Sequence, residues 1–558
     1  MSGTANLRSF GARARQVGLL AVVTGAVTGL GVAGFDRLVQ EQMFDRLLEL
    51  PLWVQAVAPV VGLTVAMLIL RWIGRGASPS TADEYIKDFH DPEHRLDVNE
   101  APAKLLASAA TLGGGAAMGF EGPSIYFGAV VGSWLQSRFS GSFSRVDNKV
   151  LVVCGAAAGV AAIFKAPATG VVFALEVPYR QDLARHMLLP AMFSAASSYV
   201  VFVAINGTTP LFPVAGAPPF NLRDLGGAAL LGLLCGGAAR VFARWLMAAK
   251  GVVARFGLAV RLPLAGVGLV GVFVAGRGLT GRSIMIGSGY GSIEWALEPG
   301  HAAATVLAVF VLRATATTLA VGAGGVGGLF VPLVVQGALL GTAVSIMFGV
   351  SDTTLFPLLG IAAFLGAGYR VPLAAVMFVA ETTGRPGFVV PALIAAATSQ
   401  LLMGRESVSP YQQDSRTGLL ERRLGLPVTS AMRTDAATVP PDATVEEFFE
   451  HHIMELRLRA VPVVEGATYS GVVVLDDVAG LPRATWNTTL VTDVMRAEWP
   501  RAEIGWTLGQ AVVAMEDADV DRLPVVDGSA FVGLVTTGEI LKLDAILERV
   551  HERGMGTP

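Results

Sequence analysis

The chain has 558 residues, of which 53% are hydrophobic and 15% charged, with a formal net charge of −3. That balance excludes an ordinary soluble enzyme; the net charge says little about partners, and no nucleic acid is expected among them. The apolar residues are concentrated from Gln16 to Met403, and a soluble charge density begins near Thr429.

In chain order, the main apolar runs are Val17–Phe35, Leu52–Leu70, Val150–Ile163, Leu188–Ile205, Ala228–Val241, Leu264–Val274, Ala302–Leu319, Leu329–Phe348, Leu355–Leu365 and Val389–Met403. A spanning helix needs roughly 20 apolar residues, so the shorter runs predict tilted or interrupted helices. The 66 glycines agree, because broken helices at membrane depth are tolerated where they are buried in protein or line a cavity. The first run continues too far for a signal peptide, and Arg8, Arg13 and Arg15 before it favour a cytoplasmic N-terminus. Cys154 and Cys235 both lie in apolar runs, which argues against a disulfide or metal site. No nucleophile–base constellation stands out, so an enzyme is not expected.

Two glycine turns match across the halves of the apolar region. Gly113–Pro123 reads GGGAAMGFEGP and Gly322–Pro332 reads GAGGVGGLFVP. Aligning Pro123 with Pro332 pairs Gly119 with Gly328, Gly128 with Gly337, Gly132 with Gly341 and Glu121 with Phe330. Aligning Pro167 with Pro372 pairs Gly155 with Gly360, Phe164 with Tyr369, Lys165 with Arg370, Phe173 with Phe378 and Glu176 with Glu381. Repeats of this kind, with interrupted helices at the repeat interface, are how transporters build substrate sites. A glycine turn that leads into a helix start offers free N–H groups and a partial positive charge, which suits an anion.

These motifs resemble the CLC family of chloride channels and proton/chloride antiporters. Gly119-Phe-Glu-Gly-Pro123 is similar to the family's Gly-Arg-Glu-Gly-Pro motif, and Gly328-Leu-Phe-Val-Pro332 to its Gly-x-Phe-x-Pro motif. Ala161–Glu176 and Ser407–Tyr411 resemble two further family segments, the latter the start of its last membrane helix. The resemblance implies an all-α polytopic membrane domain of two inverted-topology repeats, assembled as a homodimer in the plasma or inner membrane, with an anion path in each subunit. It implies that Glu121 is the gate and that Phe120, Gly122, Phe330, Val331, Ser80 and Tyr411 border the anion. Phe330 and Val331 would act through main-chain N–H groups.

Three departures qualify the resemblance. The antiporters' inner proton glutamate falls on Val177, which cannot relay a proton, so passive chloride conduction is the simplest expectation. The alternative is a proton/chloride antiporter with an atypical inner acceptor, Glu176, Glu84 or a water chain. Glu176 has a bland reading too, holding helices together as its mate Glu381 would. The family's Gly-Ser-Gly-x-Pro turn falls on Ser78–Ile86, where Ser80 or Thr81 keeps a hydroxyl but the glycines are gone, and Asp83 and Glu84 follow. Lys165 either draws anions inward or pairs with a nearby group, and Phe120 replaces an arginine beside the gate. A CBS-regulated cation transporter would need carboxylate or carbonyl rings along the path, and the apolar runs carry few carboxylates.

The tail holds a second repeat, 429–485 and 491–547, in which Pro462 pairs with Pro524, Gly471 with Gly533 and Asp477 with Glu539. Predicted strands at Ala460–Val464, Gly471–Leu475, Leu523–Val526 and Val532–Val535 alternate with helices, which resembles a soluble α/β CBS pair. That resemblance implies an adenine nucleotide (ATP, ADP or AMP) held by Thr536 and Glu539, with Asp477 in the weaker copy, or else a purely structural dimerisation module. The domain boundaries expected are 1–412 membrane, 413–428 linker, 429–547 CBS pair and 548–558 tail.

Overall fold

A computed structural model describes residues 2–91, 96–139, 149–212, 221–253, 255–349, 354–414 and 424–543. The expected 548–558 tail and residues 415–423 of the expected linker lie outside the described residues. The chain divides into two compact units, Met1–Arg416 and Thr417–Pro558.

The first unit is helical. Its first half comprises α1 (Ser2–Asp36), which passes through a π-helical stretch Arg37–Phe44 into α2 (Asp45–Glu49), then α3 (Leu52–Trp72), α4 (Ala82–His90), α5 (Ala101–Gly113), α6 (Glu121–Arg138), α7 (Val150–Ile163), α8 (Pro167–Glu176) and α9 (Leu188–Asn206). The second half comprises α10 (Leu222–Val253), α11 (Leu258–Thr280), α12 (Tyr290–Leu297), α13 (Ala303–Gly322), α14 (Phe330–Met347), α15 (Leu355–Gly368), α16 (Pro372–Thr383) and α17 (Val389–Met403). Among the described residues, eight helices are long and apolar enough to cross a membrane. The shorter apolar helices α7, α8, α15 and α16 fill the interior, and α15 is buried along its whole length.

Proline sets several of these starts. Pro167 and Pro372 open α8 and α16, where a missing N–H costs nothing and φ is already helical. Glycine sets the close crossings. A Cβ on Gly128 would collide with the carbonyl of Gly155, and one on Gly337 with the carbonyl of Gly360, so α6 crosses α7 as α14 crosses α15, backbone against backbone.

The halves are related by an inversion that two carboxylates reveal. Glu176, at the end of α8, accepts hydrogen bonds from the N–H groups of Leu373 (3.2 Å) and Ala374 (2.9 Å) at the start of α16. Glu381, near the end of α16, accepts from the N–H groups of Ala168 (2.9 Å) and Thr169 (2.7 Å) at the start of α8, and from the Thr169 hydroxyl (2.6 Å). Each helix therefore caps the other, which requires equivalent helices to run antiparallel. The paired residues Lys165 and Arg370 also share a backbone conformation uncommon outside glycine, φ 53° and 60°.

The expected start of the last membrane helix, Ser407–Tyr411, is not helical, and residues 415–423 after it lie outside the described residues. Residues 404–414 contain no helix. Gln412 is buried instead, and its amide donates to the carbonyls of Val177 (2.8 Å) and Tyr369 (2.7 Å), one from each half. Next to it, Gln413 forms a bridge with Tyr179.

The second unit carries one five-stranded sheet, ordered β1-β2-β5-β4-β3, from β1 (Ala460–Glu465), β2 (Thr468–Val474), β3 (Ala502–Glu503), β4 (Arg522–Asp527) and β5 (Ala530–Thr536). Both hairpins shift register at equivalent points, Val463/Val464 and Val525/Val526. Both copies open a helix with the same capping box, Thr444 with Glu447 and Thr507 with Gln510.

Because the crossings leave no room for a methyl group, Gly155→Ala and Gly360→Ala should each lower the thermal unfolding midpoint in detergent. Overpacking of this kind costs about 1–3 kcal/mol. Gly226→Ala, which has open space at its Cβ, should leave the midpoint unchanged.

Candidate functional site

The two glycine turns meet in space. Gly119 and Gly328 form an antiparallel backbone bridge, with Gly119 N–H donating to Gly328 O (3.0 Å) and Gly328 N–H to Gly119 O (2.8 Å). Immediately after the bridge, α6 starts at Glu121 and α14 at Phe330. Two helix N-termini from opposite halves therefore face one point.

Glu121 fills that point. Its side chain is fully buried, and its Oε1 accepts the Phe330 N–H at 2.5 Å. The Val331 N–H faces the same carboxylate. A carboxylate here takes the donors and the partial positive charge that a free anion would take. The surrounding glycines are required by its bulk, since a Cβ on either Gly119 or Gly328 would overlap the carboxylate. Gly122 packs against Gly327, Gly328 and the Thr81 hydroxyl with the same lack of room.

The Phe330 side chain points away from the carboxylate into an aromatic cluster. Its ring stacks on Phe164 at 4.5 Å and meets the edges of Phe378 at 5.0 Å and Phe173 at 5.3 Å. Tyr369 completes the cluster against Phe173 at 5.7 Å. Phe164, Phe173, Tyr369 and Phe378 are the four aromatic positions paired by the sequence repeat. Their pairing was visible in the sequence, but the anchoring of Phe330 by Phe164, Phe173 and Phe378 was not.

Cavities lie on both sides of the bridge. One, of about 350 Å³, is lined by Ser80, Thr81, Lys250, Gly328, Tyr369 and Tyr411. The other, of about 550 Å³, is lined by Asp36, Phe120, Lys165, Tyr290, Glu294 and Thr354. Phe120 is buried, with its ring edge-on to Phe35 at 6.2 Å. Lys165 reaches the carbonyl of Thr209 (3.2 Å) and, at 3.5 Å, that of Asn206, at the end of α9, so it serves local backbone and lines the second cavity at once.

The remaining expected positions separate from the bridge. Ser80 stands half-buried on the wall of the first cavity, while the adjacent Thr81 is buried against Gly122 and donates its hydroxyl to Gly327 O at 3.2 Å. Tyr411 is 42% exposed, and Lys87 Nζ lies 4.4 Å from its ring centroid. Val177 is buried at the end of α8, with its carbonyl held by Gln412. Glu176 is engaged as the cap of α16. Asp83 accepts from the Ser409 hydroxyl at 2.7 Å, and Glu84 pairs with Lys87 (3.4 Å) and the buried Lys104 (3.8 Å).

In the second unit, Asp477 is held by Arg496 through two bonds of 2.7 and 2.8 Å. Thr536 accepts the Glu539 N–H at 3.2 Å, and Glu539 pairs with Lys542 at 2.9 Å. The two copies thus present their acids differently, one held by a guanidinium through two bonds and one paired with an exposed ammonium.

An interrupted, inverted helical repeat that closes two helix starts on a single anionic side chain defines a membrane ion-transport protein. Residues 61–404 match the model of the family described as voltage gated chloride channel, and residues 428–482 and 491–545 each match the CBS domain. The chain belongs to the CLC family and carries a C-terminal CBS pair. Among similar curated proteins, the H(+)/Cl(-) exchange transporter ClcA of Citrobacter koseri is 27% identical over 406 residues, covering 69% of this chain and 84% of the relative. That of Salmonella typhimurium is 26% identical over 405 residues, with the same coverage. Solved structures share the fold. A slow cyanobacterial Cl-/H+ antiporter aligns with a TM-score of 0.61 at 21% identity, over 69% of this chain and 94% of its own. A eukaryotic CLC transporter aligns with a TM-score of 0.60 at 17% identity, over 95% of this chain and 98% of its own.

The reciprocal caps make Glu176 and Glu381 equivalent structural groups. Glu176→Gln and Glu381→Gln should therefore lower stability to a similar extent, about 1.5–3 kcal/mol for a lost charged hydrogen bond. Thermal unfolding of the purified protein measures both, and a loss confined to one of them would break the equivalence.

Proposed function

We propose that this protein exchanges chloride for protons across a membrane, with Glu121 as the carboxylate that alternates with chloride at the helix starts of α6 and α14. The observation that carries this reading is the seat of Glu121. It is fully buried between two cavities and bound to the Phe330 N–H, where a chloride would be held. Leaving that seat requires either a proton, which removes the charge, or a chloride, which takes the donors. Proton and anion therefore compete through one side chain. The relatives named as proton/chloride exchangers support coupling.

Phe330 and Val331 supply the N–H donors, while Gly122 gives the room they need. The cavity with Ser80 and Tyr411 is the cytosolic entrance, drawing anions by Lys87, Lys250 and Arg261 on its wall. Phe120 and Lys165 border the opposite entrance. Both termini are cytoplasmic, and the protein works as a homodimer. A second reading, a passive chloride channel, is favoured by one observation. Val177 occupies the position of the inner proton glutamate and is buried with no ionisable group of its own.

Reconstituted in liposomes with chloride and pH gradients, the unmodified protein should reverse away from the chloride Nernst potential. Reversal at that potential whatever the pH gradient would establish the channel reading. Protonation frees Glu121, so transport should rise as pH falls, and Glu121→Gln should keep anion flux while losing both the pH dependence and the proton coupling.

For the CBS pair, the second copy is the adenine-nucleotide site, with Glu539 holding the ribose hydroxyls beside Thr536, because Asp477 in the first copy is already occupied by Arg496. ATP should raise the thermal midpoint of the full-length protein, and Thr536→Ala with Glu539→Ala should abolish that rise. An equal rise in both would place the nucleotide elsewhere.

A further inference from the structure

On the Tyr411 side of the glycine bridge, Ser80 lies on the cavity wall, while the other groups expected to meet an anion there are engaged or set back. The glycines that would bring backbone close at Ser78–Ile86 are missing. Thr81 spends its hydroxyl proton on the Gly327 carbonyl. Tyr411 stands at the cavity mouth, 42% exposed, under the Lys87 ammonium.

Tyr369 is placed differently. It is 97% buried, being 3% exposed, yet it lines this cavity. Its phenol lies against the backbone of Leu329, one residue before the N–H that holds Glu121. No side-chain acceptor for its proton is found among the described residues. A phenol on a cavity wall whose proton is not taken by another side chain can donate it to a ligand. Its position is also fixed rather than adaptable. Gln412 binds its carbonyl at 2.7 Å, Phe173 meets its ring, and the neighbouring Arg370 donates to Gly404 O. The nearest carboxylate on the cavity wall, Asp83, is turned to Ser409.

We infer that the Tyr369 hydroxyl is a direct ligand of the transported anion, donating to it on the Tyr411 side of the bridge before it reaches the seat of Glu121. This rests on the anion-transport reading above. Tyr369 is then a specificity-determining residue: a neutral O–H donor holds chloride or bromide without the full charge that would trap it. Its repeat mate, Phe164, has no hydroxyl to offer the opposite side.

Bromide is the probe, titrated calorimetrically into the purified full-length protein. Tyr369→Phe keeps the ring and removes only the hydroxyl, and should weaken bromide binding by about ten-fold, as loss of a charged hydrogen bond does. Tyr411→Phe should leave the affinity close to that of the unmodified protein. Binding unchanged in Tyr369→Phe would overturn the inference while leaving the anion-transport reading intact. Absence of bromide binding in both the unmodified protein and Glu121→Gln would overturn the two together. Anomalous scattering from bromide-soaked crystals of the unmodified protein needs no variant. A peak within about 3.5 Å of the Tyr369 hydroxyl supports the assignment, and a peak at Tyr411 alone overturns it.

Discussion

Two backbone hydrogen bonds, between Gly119 and Gly328, hold together the starts of α6 and α14, and most of the membrane unit is arranged to make that contact. Residues without side chains are needed on both sides of the bridge, because the Glu121 carboxylate fills the space a Cβ would take. Once joined, two helix starts concentrate N–H groups and partial positive charge at one buried point. A fixed lysine or arginine there would bind an anion too firmly to release it. In the proposed exchange, a carboxylate that can leave gives the point two occupants and makes occupancy depend on protons.

The surrounding structure supports the contact in pairs. Glu176 and Glu381 cap each other's helices, Lys165 and Arg370 turn the chain in the same unusual conformation, and Gly155 and Gly360 let equivalent helices touch. The symmetry ends at the centre. Glu121 faces Phe330, so one half brings a removable charge and the other brings donors. The two cavities also differ, with Tyr369 on the wall of one and its repeat mate Phe164 buried against Phe330. An inverted repeat gives the path two mouths, and such substitutions make them unequal.

The site was unevenly legible in the sequence. Glu121, Phe330 and Val331 could be found because glycine, proline and glutamate at fixed spacing have few other uses in an apolar chain. Ser80 was the natural choice for a hydroxyl, yet its neighbour Thr81 is the one against Gly122, a one-residue difference that spacing cannot resolve. Ser407–Tyr411 resembled a helix start, but it forms turns, and the next residue, Gln412, bonds to both halves. Tyr369 gave no signal beyond its pairing with Phe164, since its place in a cavity depends on a contact with Leu329 far along the chain.

The sequence by itself determined that this is a polytopic membrane protein of two similar halves with a CBS pair behind it, because hydropathy, glycine and proline placement, and internal repetition are local properties of the chain. It also determined that Glu121 is the one acidic side chain in the glycine turns. Only the tertiary structure decided that the turns bond to each other, that Glu176 and Glu381 serve as reciprocal caps, and which hydroxyls face a cavity. Those are relations between segments some two hundred residues apart, such as Gly119 and Gly328, and they exist only when packing brings the segments together.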